Sequence, residues 1–233
     1  MPVEIFVQEQ GKLVTVWLTR EKLIQVILAA QLPDGGWTLS GTKADPDMTA
    51  MAIQSLAPYY KTNETVKAAV DKALEVLSAL QRNDGGFGSW GTVNSESCAQ
   101  VIVALTALGI DPTADSRFVK NGHTVLDALA GFYVTGGGFR HTAGGERNDM
   151  ATEQGYYALA AYYRFLNGQT RLYDMSDVAI QTGGTSGGDN SGNGTNNGGT
   201  PATGDTGVLV WVIALPAALL AAAFILKRKE REA

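Results

Sequence analysis

From Glu64 to Gln81 the chain reads ETVKAAVDKALEVLSALQ, and its apolar residues Val66, Ala69, Val70, Ala73, Leu74, Leu77 and Leu80 recur at spacings of three and four. Glu64, Lys67, Asp71, Lys72 and Glu75 occupy the other side, so the stretch is predicted as an amphipathic surface helix. REKLIQVILAAQL and GHTVLDALAGFY are read as helices of the same kind, leading into the segments QLPDGGW (31–37), QRNDGGF (81–87) and YVTGGGF (133–139). After each comes a different kind of phrase: MTAMAIQSLAPYY, SCAQVIVALTALG and ATEQGYYALAAYY. CAQVIVALTALG holds no charge, and none lies between Glu153 and Arg164, so these second helices are expected to be buried nearly all round.

Trp37, Phe87 and Phe139 lie 50 and 52 residues apart, a period that points to stacked supersecondary units. Three helical hairpins over 19–178 are expected, with an outer layer of amphipathic helices around an inner layer of apolar ones. In each corner a glycine lets the chain adopt φ > 0, the preceding Gln caps freed backbone groups, and the aromatic fills the seam between hairpins. Copies so far apart along the chain cannot all line one active site, so the motif is read as architectural.

The composition changes sharply towards the carboxyl end. Residues 179–199 are dominated by Gly, Asn, Ser and Thr and cannot bury enough surface to become ordered, so they are expected to be a flexible spacer spanning roughly 25 Å. Residues 208–226, VLVWVIALPAALLAAAFIL, contain no charge and would extend roughly 28 Å as a helix, about the thickness of a bilayer core. A transmembrane helix is predicted there. Lys227, Arg228, Lys229 and Arg231 follow it and are expected to hold the tail in the cytoplasm, with everything upstream outside the cell.

The formal charge of the chain is −5, and its last seven residues contribute +2, leaving −7 on the remainder. That body repels phosphate backbones, so nucleic acid is not an expected partner. Cys98 is the single cysteine, which excludes an internal disulfide. Residues 1–18 lack a basic segment leading into an apolar run and form an atypical amino-terminal segment. A wall-anchored protein needs an export signal, so the chain is expected to be the carboxyl-terminal portion of a longer protein or a late-starting reading frame.

TPATGD at 200–205, an apolar helix and a basic tail together resemble the cell-wall sorting signal of Gram-positive surface proteins, with Thr200 where that family's LPxTG pentapeptide has Leu. The resemblance implies sortase cleavage between Thr203 and Gly204 and covalent linkage to peptidoglycan, on a cell-surface protein of a Gram-positive bacterium. The alternative is a plain single-pass membrane anchor. QLPDGGW and QRNDGGF, each followed by a charge-poor helix, resemble the repeats of the prenyltransferase and squalene cyclase superfamily, which implies an all-α fold: a partial αα-toroid of three hairpins where a complete one has about six. The third copy departs, with Tyr133 in place of Gln. Half a toroid would leave the inner layer's apolar flank exposed.

Three candidate chemistries follow from these resemblances. ADPDMTAMA places Asp45 and Asp47 at a helix start, where carboxylates cap; it also resembles the DxDD-TA acid motif of squalene-hopene cyclases, making Asp47 the weak catalytic candidate. Met48 replaces the last carboxylate, so cyclase chemistry is not expected. Glu96-Ser97-Cys98 is similar to the D-x-C zinc ligands of protein prenyltransferases, but Ala151 stands where the third ligand would belong, and His123 and His141 lie elsewhere, so no metal is expected. DMTAMAIQSL resembles the DTAAMA segments of cobalamin carriers such as transcobalamin, which bind without catalysis. That implies a polar rim of Asp47, Thr49, Asn94, Gln100, Glu153 and Gln154 with Trp37, Trp90 and Tyr156 as apolar walls, and a corrinoid as ligand, with no cofactor otherwise. The rival readings are a terpenoid cyclase or prenyltransferase-type enzyme and a truncated, non-functional fragment. The plain alternative for the rim is that these residues cap helices and satisfy loops.

Overall fold

The computed structural model describes residues 3–9 and 12–178. The spacer, Thr203 and Gly204, and the predicted membrane helix at 208–226 lie outside the described residues; within them, no helix is long and apolar enough to cross a membrane.

The structure is helix-rich. Among the described residues there are six α-helices: α1 Arg20–Ala29, α2 Pro46–Leu56, α3 Glu64–Leu80, α4 Ser95–Ala107, α5 Val125–Ala130 and α6 Asp149–Leu166. They begin where the sequence supplies a cap. Thr19, Asp45, Asn63, Asn94, Thr124 and Asn148 each accept a backbone N–H of the first turn with a side-chain oxygen.

Little of the described chain is strand, and its longest piece lies at the amino terminus. β1 Val3–Glu9 and β2 Lys12–Leu18 pair antiparallel in a register running from Val3↔Leu18 to Glu9↔Lys12. VEIFVQE and KLVTVWL are rich in β-branched and aromatic residues, which suits the strand pair they form. Three two-residue ladders follow the corners or precede a helix: β3 Gly88–Ser89 with β4 Thr92–Val93, β5 Val119–Lys120 with β6 His123–Thr124, and β7 Phe139–Arg140 with β8 Arg147–Asn148.

Helix α4 sits at the centre, packed between α2 and α6, with α5 against it and α3 against α2. The face of α3 that the periodicity predicts is the buried one, carrying Val66, Ala69, Val70, Ala73, Leu74 and Leu77. Burial of α4 is nearly complete, as its charge-free stretch from Cys98 onward requires. Its two neighbours differ from expectation. Met51 on α2 and Met150 and Glu153 on α6 are exposed, because each of these helices has α4 on one side of the row only.

The corners repeat in detail. Leu32, Arg82 and Val134 each donate a backbone N–H to the last glycine before the aromatic (Gly36, Gly86 and Gly138), and Gly35, Gly85 and Gly137 each donate back. The last three residues have φ of 100, 79 and 116°, a region that costs most side chains strain. Gln31 Nε2 donates to the Gly35 carbonyl at 2.7 Å and to that of Ala69 at 2.8 Å; Gln81 Nε2 reaches Gly85 and Phe118 at 3.0 Å each. One side chain thus closes its own turn and ties it to a distant segment. The third corner lacks the Gln, and there Tyr133 packs edge-on against Phe139, centroids 5.6 Å apart.

Candidate functional site

The helix starts of α2, α4 and α6 superpose by role as well as by sequence. Caps Asp45, Asn94 and Asn148 are each followed two residues later by Asp47, Glu96 and Met150, and six residues later by Met51, Gln100 and Gln154. These six side chains line one open cleft of about 370 Å³, together with Ser89, Trp90, Thr92, Asn94 and His141 from the loops. Rows of equivalent residues on neighbouring helices converge there because the helices start side by side.

Asp47 is partly buried at the first turn of α2, and Asp45, not Asp47, provides the cap, accepting Met48 N–H at 3.0 Å. Burial pushes the Asp47 carboxyl above the usual carboxylate range, and Asp45 and Glu96 add to the shift by repulsion. The Ser97 and Ser89 hydroxyls lie close enough to favour its ionised form, yet Asp47 Oδ1, Ser89 Oγ and Ser97 Oγ are all buried without a hydrogen-bond partner. Unpaired acceptors and hydroxyls under a cleft are groups that a bound donor would satisfy.

Glu96 is held from two sides. Its Oε2 lies 2.8 Å from His141 Nδ1 and 3.1 Å from Ser95 Oγ, whose one proton is shared between that oxygen and the Arg140 carbonyl at 2.9 Å. Farther along the helices runs an amide ladder. Gln54 Nε2 donates to the Gln100 side-chain oxygen at 2.9 Å; Gln100 Nε2 donates to Gln154 Oε1 at 3.1 Å and to the Tyr157 hydroxyl, which donates to Gln154 Oε1 at 3.2 Å. Burial, first of all, raises the Tyr157 hydroxyl pKa well above its usual value. The ladder fixes the rotamers of Gln100 and Gln154 at the cleft wall.

Of the residues expected to form a rim, the structure gathers Asp47, Trp90, Asn94, Gln100 and Gln154 in this cleft. Asn94 is occupied there, capping Ser97 N–H and donating to Thr92 carbonyl. Trp37, Thr49 and Tyr156 belong to the corners instead. Thr49 Oγ1 accepts Trp37 N–H at 3.0 Å and donates to Trp37 carbonyl at 3.1 Å, the Trp37 indole donates to Ile27 carbonyl at 2.7 Å, and Tyr156 hydroxyl accepts Gly138 N–H. Glu153 is exposed and does not line the cleft.

Cys98 has structural counterparts in the other two repeats, Thr49 and Thr152. Thr152 does for Phe139 what Thr49 does for Trp37, accepting its N–H at 3.0 Å. Cys98 holds the matching place in the middle repeat, four residues after its cap, with its thiol bonded to the Phe87 backbone. Complete burial pushes that thiol up to about 12, so it is no thiolate. Among the described residues no group of three His, Cys, Asp or Glu is arranged to hold a metal ion.

Sequence reasoning passed over Met51, Ser89, Thr92, His141 and Met150 as cleft residues. The signal for Met51 and Met150 was the repeat register itself, counted from the caps; nothing in the sequence placed His141 beside Glu96, 45 residues away. No protein-family model matches the chain, and no curated protein sequence matches it.

Proposed function

We propose that the chain is a cell-surface anchored, non-catalytic ligand-binding or adhesion module, built as a partial αα-toroid of three helical hairpins. The observation that carries this reading is the cleft at the shared start of α2, α4 and α6, where fixed amides and a buried, unpaired carboxylate oxygen meet exposed Met51, Trp90 and Met150. Concave sites with a few placed polar groups among apolar walls bind small ligands. The alternation of α3 and α5 outside with α2, α4 and α6 in a row supports the hairpin architecture. A terpenoid cyclase or prenyltransferase activity has less support, since Cys98 serves its corner and Asp47 has no third carboxylate beside it in sequence.

The ligand implied by the likeness to cobalamin carriers is a corrinoid. At about 370 Å³ the cleft lies at the small end of the roughly 300–1,000 Å³ range of ligand sites, so it would seat one amide-bearing edge of such a molecule. Surface display rests on TPATGD and the charge-free stretch at 208–226. Cyanocobalamin at about 100 µM should raise the melting temperature of the full chain in a mild detergent, less so for Gln100→Ala. Absence of any shift argues against the corrinoid. For the anchor, Thr203→Ala should convert a wall-retained protein into one that detergent extracts; unchanged retention in the wall would overturn sortase processing.

A further inference from the structure

Two hairpins in this chain share one turn geometry, and their two-residue loops differ in one residue. Lys120 pairs with His123 across Asn121 and Gly122, with φ of 50 and 82°. Ser89 pairs with Thr92 across Trp90 and Gly91, with φ of 53 and 79°. Two-residue loops with both φ positive are type I′ turns, for which Asn-Gly is a preferred pair. A bulky aromatic at that first position is strained by roughly 1–3 kcal/mol. The turn therefore does not explain Trp90, and neither does packing, since the residue is 74% exposed.

What Trp90 does have is a position on the cleft wall, beside the exposed side chains of Met51 and Met150. The polar part of the wall carries the planar groups of Asp47, Glu96, Gln100 and Gln154 beside the hydroxyl-bearing Ser89 and Thr92. No Lys or Arg lines it, which disfavours phosphates and other anions. Glu96 is already engaged by His141 and Ser95, and among the described residues no group of three His, Cys, Asp or Glu is arranged to hold a metal ion. The unpaired Asp47 Oδ1 and Ser89 Oγ make a purely hydrocarbon occupant costly. A neutral molecule with one aliphatic face and a rim of hydroxyls meets all of these conditions.

We propose that Trp90 is a stacking platform for a pyranose ring and that the cleft beside it binds a neutral sugar through Asp47, Glu96, Gln100 and Gln154. The ring's C–H face covers the indole, and its hydroxyls donate to the carboxylates and accept from the Gln154 amide. This rests on the reading of the chain as a binding module and names the class of ligand.

The test uses the full chain in a mild detergent with maltotriose, cellotriose and N,N′,N″-triacetylchitotriose, each at about 10 mM, and cyanocobalamin in parallel, reading melting temperature and tryptophan fluorescence. At least one trisaccharide should raise the wild-type melting temperature. Trp90→Phe should keep part of that shift. Trp90→Asn should abolish it while the ligand-free variant melts at or above wild type, because Asn is the residue this fold accepts at 121. A shift that survives Trp90→Asn, or a ligand-free Trp90→Asn that melts below wild type, overturns the proposal. A response to cyanocobalamin and to none of the three sugars overturns it and leaves the binding module standing; a response to none of the four ligands sinks both.

Discussion

Gln81 Nε2 lies 3.0 Å from the carbonyl oxygen of Phe118, 37 residues farther along the chain, and the same nitrogen donates to Gly85 at 3.0 Å. Both bonds are buried, so truncating the side chain leaves two carbonyls short of a donor in a site that water does not freely enter. Gln81→Ala should cost about 2–3 kcal/mol in urea unfolding, and Gln31→Ala, whose bonds are partly exposed, about 1 kcal/mol. Equal losses at the two positions would show that burial does not set the cost.

The corners were legible in the sequence because their requirement is local: a glycine at φ > 0, a Gln before it and an aromatic after it. Helix placement was legible for the same reason, from caps and periodicity. Three things were not. The degree of exposure of α2 and α6 depends on what flanks the row, and that is a tertiary property. The strand pair β1–β2 escapes because VEIFVQE and KLVTVWL show no clean alternation and are joined by Gln-Gly, not by Asn-Gly or Asp-Gly. The cleft was half legible: Asp47, Gln100 and Gln154 follow from repeat register, whereas the His141–Glu96 pair depends on where an irregular loop happens to return.

Cys98 offers a test of repeat equivalence. Its thiol is fully buried, with a pKa pushed up to about 12, and reaction with disulfide reagents requires thiolate. Labelling of the native chain should therefore be slow and should rise with urea in step with global unfolding. Fast labelling without denaturant would mean that the middle corner opens locally. Zinc should leave the melting temperature unchanged; a zinc-dependent increase would restore the metal reading.

Gly155 occupies mid-helix in α6, where an Ala ordinarily gains up to about 1 kcal/mol. Here a Cβ would come within 2.4 Å of Phe139 Cδ2 and 2.6 Å of Cε2. The Phe139 ring is held edge-on by Tyr133 and Tyr156, so it has little room to yield. Overpacking of this kind costs about 1–3 kcal/mol, which outweighs the gain in propensity. Gly155→Ala should lower the melting temperature, and the loss should be reduced in combination with Phe139→Leu.

Asp47→Asn tests whether the cleft carries an electrostatic cost while empty. Because the carboxyl titrates higher in the folded chain than its ordinary value of 3.8, the folded state holds a proton that the unfolded state has released between those two values. Stability contributed by that proton is present below the unfolded value and is lost as pH rises through the folded one, so the full penalty acts at neutral pH. Asn keeps the shape without the charge. Thermal unfolding should therefore find Asp47→Asn more stable than wild type at pH 7, with the difference vanishing near pH 3, below the unfolded carboxyl's ordinary 3.8. If the variant is instead less stable at pH 7, the Ser89 and Ser97 hydroxyls pair with the ionised carboxylate strongly enough to offset its burial, and the unsatisfied oxygen at the cleft would no longer be available to a ligand.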